Sequence, residues 1–144
     1  MRTVGTEWLV DASGCDPRAL GDVARLSEVF ERAIRELGLH PLGAGSWHKF
    51  PEPGGVTGLV MLTESHLACH TYPEFGAVTF NLYCCRERPE WPWEERLREM
   101  LGARGVTVSR VRRAAPESEE VEGAVVDEGG APATLVPLSR KGEA

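Results

Sequence analysis

The chain reads as an α+β domain, an antiparallel β-sheet with two helices packed on one face in a two-layer sandwich. Two observations predict it. Six apolar runs have strand length and alternation, while only two segments carry apolar residues at helical spacing. The four runs between the helices follow one another across short turn-rich gaps, which suits hairpins and not parallel crossovers.

The first strand is expected at Glu7 to Ala12, where Trp8, Val10 and Ala12 share a face. Asp16-Pro17 then reads as an N-cap followed by proline at the first helical position. Leu20, Val23, Leu26, Phe30, Ala33, Ile34 and Leu37 recur at helical spacing, so one continuous helix is expected up to the stop at Gly38. A second strand lies near Leu42 to Phe50, before the turn-rich Pro51-Glu52-Pro53-Gly54-Gly55. Val56 to Leu62, His66 to Tyr72 and Ala77 to Cys85 follow as three more strands. Pro92-Trp93-Glu94-Glu95 opens a second helix to about Ala103, with Leu97, Met100 and Leu101 inward and Trp91 and Trp93 as its anchors. A last strand spans Val106 to Val111. Residues 1–113 therefore form a single domain, and 114–144, rich in Pro, Glu, Gly and Ala, are expected to be a mobile or loosely docked tail. With both helices on one side, the other sheet face stays uncovered unless a partner packs on it.

Composition narrows the function. A net charge of −6 argues against a nucleic-acid surface, which carries a basic stripe. No apolar stretch approaches the roughly 20 residues of a membrane span, and the start of the chain lacks a signal-peptide apolar segment, so a cytoplasmic location is expected. The four cysteines are expected to be free, because nothing else points to an oxidising compartment and the adjacent Cys84 and Cys85 face opposite sides of a strand.

Chemistry concentrates in Glu64-Ser65-His66-Leu67-Ala68-Cys69-His70-Thr71-Tyr72-Pro73-Glu74. His66, His70, Cys69, Cys84 and Cys85 invite a metal reading, but they lack a C-x-x-C pair and sit on different faces, so no metal site is expected. Cys15, Cys69 and Cys84 read as small apolar fillers. Arg104, Arg110, Arg112 and Arg113 read as a solvated strand end.

Several segments, in order, resemble the prokaryotic-type pyruvoyl-dependent S-adenosylmethionine decarboxylases. They are Trp8-Leu9-Val10-Asp11-Ala12 with Cys15-Asp16, Trp47-His48-Lys49-Phe50, Gly55-Val56-Thr57-Gly58, Glu64-Ser65-His66-Leu67, His70-Thr71-Tyr72-Pro73-Glu74-Phe75-Gly76 and Cys85. The resemblance covers roughly residues 5 to 113. It implies self-cleavage between Glu64 and Ser65 into fragments 1–64 and 65–144, with Ser65 consumed to form a covalently bound pyruvoyl group. Cleavage of this kind needs attack by the serine hydroxyl on the preceding carbonyl, stabilisation of an oxyanion, and removal of the serine α-proton. The resemblance makes Ser65, His70 and Cys85 the catalytic residues, with His70 also serving processing and Cys85 donating a proton to the substrate. Thr57 aids processing, where the family usually has serine. Phe50 and Tyr72 would stack on the substrate's adenine and Glu74 would hold its ribose hydroxyls. Tyr72 stands where the family usually has tryptophan, and Asn81, also on the substrate side, where it usually has aspartate.

The implied activity is decarboxylation of S-adenosylmethionine for polyamine synthesis. Tyr72 and Asn81 keep arginine or ornithine open as substrates, and Thr57 keeps open a non-catalytic homologue that binds a small molecule or partner. The family's dimers pack sheet on sheet, which implies a homodimer with a four-layer α/β/β/α arrangement.

Strand geometry adds a demand of its own. Thr57 and Ser65 lie about 26 Å apart along a continuous strand, and alternation puts Ser65 and His70 on opposite faces. The Glu64–Ser65 bond should therefore sit at a chain reversal or at a subunit boundary.

Overall fold

The computed structural model describes residues 1–117. Its elements are β1 (Arg2–Ser13), α1 (Pro17–Leu20), α2 (Val23–Glu36), β2 (Ser46–Lys49), β3 (Val56–Leu62), β4 (Ser65–Tyr72), a one-turn 3-10 helix (Pro73–Phe75), β5 (Ala77–Cys84), α3 (Trp93–Leu101) and β6 (Gly105–Ala115). All six strands form one antiparallel sheet in the order β2-β3-β4-β5-β1-β6. The expected α+β sheet architecture is present.

Register explains why one face is apolar. Val60, Leu67, Leu82 and Trp8 lie in one row across β3, β4, β5 and β1, and Cys69, Phe80 and Val10 in the next. Paired residues project to the same side, so these buried side chains line one surface. Leu26, Val29, Phe30 and Ala33 of α2 and Trp93, Leu97 and Leu101 of α3 complete the core on that surface. Trp91 and Trp93 do anchor α3. Their rings meet edge to face at 4.9 Å, and Trp91 Nε1 donates to Glu36 at 3.0 Å. Gly58 has a packing reason, because the Trp47 ring lies where a Cβ would be and goes on to contact Phe30 at 4.8 Å.

Three expectations change in detail. The first helix is broken, not continuous. Asp16 caps Pro17–Leu20, the helix stops at Gly21, and Asp22 caps a new start by accepting from the Arg25 N–H at 3.2 Å. The Leu20 carbonyl is instead tied to the sheet by the buried Thr71 hydroxyl at 2.7 Å. The second strand is shorter than expected, Ser46–Lys49, since Gly43 and Gly45 adopt positive φ ahead of it. β1 and β6 are longer than expected, because they pair from Ser13↔Gly105 to Arg2↔Ala115, bridging a bulge near Thr3 and Gly5. Residues 114 and 115, first placed in the tail, thus belong to β6. The tail from 118 onward lies outside the described residues.

The opposite sheet face carries exposed Leu9, Leu59, Met61 and Val111 among polar neighbours. No helix among the described residues is long and apolar enough to cross a membrane.

Candidate active site

β3 and β4 form a hairpin whose turn is Thr63-Glu64, with Leu62 paired to Ser65. The Glu64–Ser65 bond therefore sits at a chain reversal, as strand geometry demanded. Ser65 has φ 155°, a value L residues seldom adopt and one that costs on the order of 1–3 kcal/mol where the surroundings hold it. Its hydroxyl lies 3.0 Å from His66 Nδ1.

The carbonyl preceding Ser65 is already polarised. Glu64 O accepts a 2.9 Å hydrogen bond from the Cys85 N–H, which the Ser65↔Cys84 pairing brings alongside. The Glu64 carboxylate is itself buried at 3% exposure. Burial pushes this carboxyl up, but hydrogen bonds from the His40 ring and backbone, its own N–H and Thr63 prevail and hold it at about 2. Arg88 adds its charge 3.7 Å from the same carboxylate.

Of the four free cysteines, Cys85 alone is exposed. Burial pushes Cys69 up to about 12 and Cys84 up to about 11, and raises Cys15, so these three stay protonated and closed to solvent. Cys85 opens instead onto a cavity of about 520 Å³, together with Arg86, Arg110 and Arg112. Among the described residues no three His, Cys, Asp or Glu side chains gather as a metal site.

The other expected processing residues lie at the far end of the hairpin. Thr57 pairs with His70, and Thr57 Oγ1 is 2.7 Å from His70 Nδ1. His70 lies five positions along the strand from Ser65, roughly 17 Å away. His70 belongs to an aromatic row with His48, Phe50, Tyr72 and Phe75, its ring 5.8 Å from Phe50 and 4.6 Å from Tyr72. Phe50, His70, Tyr72 and Glu74 line a cavity of about 490 Å³. Gly76, at φ 61°, closes the 3-10 turn that carries Glu74.

Asn81 does not share that cavity. It borders a neighbouring groove with His70 and Asp11, and its amide donates to Glu7 at 2.9 Å. Apart from Asn81, the sequence-predicted residues thus fall into two groups, Glu64, Ser65 and Cys85 at the turn, and Phe50, Thr57, His70, Tyr72 and Glu74 opposite. Sequence reasoning missed His66 as the imidazole nearest Ser65, having weighed it only as a metal ligand. It also passed over His40 and Arg88, which no local spacing connects to Glu64.

The chain is similar to known proteins. A family model described as S-adenosylmethionine decarboxylase matches residues 6–114. The chain is 36% identical over 122 residues to the S-adenosylmethionine decarboxylase proenzyme of Pyrococcus abyssi, covering 83% of this chain and 86% of that protein. It is 35% identical to the proenzyme of the same description from Moorella thermoacetica, covering 78% of this chain and 90% of that one. The crystal structure of the adenosylmethionine decarboxylase from Aquifex aeolicus VF5 superposes with a TM-score of 0.69 at 26% identity, over 85% of this chain and 100% of that chain. The match spans nearly all of the sheet and both groups of candidate residues, and on that ground the chain belongs to the S-adenosylmethionine decarboxylase family.

Proposed function

We propose that this chain is a proenzyme that cleaves itself between Glu64 and Ser65 and then decarboxylates S-adenosylmethionine. The observation that carries the reading is the turn itself: a serine at φ 155° follows a carbonyl already hydrogen-bonded to the Cys85 N–H. In the first step Ser65 Oγ attacks the Glu64 carbonyl carbon, the peptide C–N bond breaks and an ester to Ser65 forms. The Cys85 N–H is placed to receive the oxyanion on Glu64 O. A base then removes the Ser65 α-proton and the ester C–O bond breaks, leaving Glu64 as a free carboxylate and residue 65 as dehydroalanine. Addition of water and loss of ammonia leave a pyruvoyl group at residue 65.

The residues at the turn fit that group, since Ser65 supplies its atoms and the exposed Cys85 lies beside its position. When formed, the pyruvoyl ketone supplies an electron sink for the electrons released as carbon dioxide departs. Cys85 Sγ holds the proton that the substrate α-carbon then takes up. Phe50 and Tyr72 offer faces for the adenine, and Glu74 offers a carboxylate for ribose hydroxyls.

The distance between the two groups calls for a second copy of the chain. Thr57 and His70 point from the helix-free face, on which Leu9, Leu59 and Met61 are also exposed. A two-fold packing of two such faces is isologous, so the turn of one copy can meet the His70 end of its partner. In that arrangement His70, oriented by Thr57, acts on the other copy's Ser65. The reading places the protein in the cytoplasm, with a small molecule as its substrate.

Intact-mass measurement tests the cleavage. Two fragments split at Glu64–Ser65, the C-terminal one blocked by a ketone, are expected, and Ser65→Ala should leave one full-length chain. Persistence of the split in Ser65→Ala would refute the assignment. Carbon dioxide release measured with S-adenosylmethionine, arginine and ornithine separately tests the substrate, and inactivity on the first would remove it.

A further inference from the structure

The cleavage turn is held from outside by a segment remote from it in sequence. Residues 40–42 run antiparallel beside the end of β3: Leu42 N–H donates to Met61 O at 2.8 Å, Pro41 bridges Leu62, and Thr63 N–H donates to His40 O at 2.9 Å. This brings His40 to the Glu64 side chain. Its backbone N–H donates to Glu64 Oε2 at 3.2 Å, and its Nδ1 lies 2.5 Å from Oε1. The imidazole remains 69% exposed while the carboxylate it touches is 3% exposed. Arg88, which also faces this carboxylate, is farther at 3.7 Å and also donates to Gly38 O at 3.4 Å.

Glu64 is therefore gripped at two points, its carbonyl oxygen by Cys85 and its carboxylate by His40. Between them lies the carbonyl carbon that Ser65 must attack. Side-chain anchoring limits rotation about the Glu64 backbone, and a reaction of this kind loses rate steeply when the reacting groups are misplaced by an ångström. The His40 donor also draws charge from a carboxylate that would otherwise oppose the nearby oxyanion.

We propose that His40 is a positioning residue for self-cleavage, its imidazole fixing the Glu64 side chain so that the Glu64–Ser65 carbonyl stays aligned with the Ser65 hydroxyl. The proposal rests on cleavage at this bond. It acts through Glu64 and requires no contact between His40 and Ser65.

Conversion of full-length chain into fragments, followed in time for the wild-type protein, His40→Ala and His40→Asn, tests it. The folded fraction of each sample is read by circular dichroism. Loss of a hydrogen bond to a charged group should slow His40→Ala about tenfold or more per folded molecule. His40→Asn, whose amide N–H can replace the imidazole donor, should recover most of that rate. A merely structural role would lower the folded fraction and leave the rate per folded molecule unchanged. Wild-type conversion matched by His40→Ala overturns the role of His40 alone, as does equal slowing of both variants. Absence of conversion in the wild type overturns the cleavage reading, and this proposal with it.

Discussion

The two ends of the β3–β4 hairpin differ in almost every physical respect. At the turn, a buried carboxylate, a backbone at φ 155° and a hydrogen-bonded carbonyl make a rigid, charged, tightly satisfied corner. At the far end, Phe50, Tyr72 and Phe75 stay exposed around His70, with Thr57 orienting its ring. One end places a strained backbone beside a hydrogen-bonded carbonyl, and the other exposes flat aromatic faces. The difference teaches that one pair of strands carries two chemically distinct groups of residues, roughly 17 Å apart, which the proposed function reads as two half-sites.

The sharpest way to break this comparison is complementation. Ser65→Ala and His70→Ala should each abolish cleavage alone. Unfolded together and refolded as a mixture, they should regain cleavage of the His70→Ala chains, because the Ser65→Ala partner still supplies His70. No fragments from the mixture would mean that both ends act within one copy.

Next in size is the division of labour at the turn. Cys85→Ala keeps the backbone N–H that bonds Glu64 O, so fragments should still form. Turnover of the processed protein should fall about 10²–10⁴-fold through loss of the proton donor. Equal loss of both activities would place the thiol in processing as well.

The Glu64 carboxyl predicts an acid-dependent stability confined to the turn end. Its folded pKa lies at about 2, below the ordinary 4.5, so its contribution is present above pH 4.5 and lost as pH falls toward 2. The amount is on the order of 3 kcal/mol. Denaturant unfolding of Ser65→Ala against the Ser65→Ala, Glu64→Gln double variant should show a gap that closes across this window. A constant gap would reject the depressed pKa.

The smallest effect belongs to the aromatic end. Tyr72→Ala should raise KM about three- to tenfold through lost stacking and leave the yield of fragments unchanged. A change in cleavage with normal KM would move Tyr72 out of the substrate cavity.

Much of the fold was legible because local signals agreed with the tertiary outcome. Trp8, Val10 and Ala12 alternate and are buried together. Asp16-Pro17 caps a helix as expected, yet the same periodicity hid the break at Gly21, where Asp22 restarts the helix and Thr71, from a distant strand, takes the Leu20 carbonyl. Likewise Phe50, Tyr72 and Glu74 converge as the motif implied, whereas Asn81 turned to Glu7 on the adjacent strand. Hydrogen-bond partners chosen across the sheet leave no trace in spacing along the chain.

By itself the sequence determined, through its resemblance to a known family, which bond is the cleavage candidate, and, through the period of two along a strand, which sheet face is buried and that Ser65 needs a reversal or a subunit boundary. Only the tertiary structure decided that the reversal is the β3–β4 turn, that Cys85 bonds the Glu64 carbonyl, and that His40 clamps its carboxylate. Those contacts join residues 21 and 24 positions apart through sheet register and loop packing, and such long-range pairings are set by the whole fold.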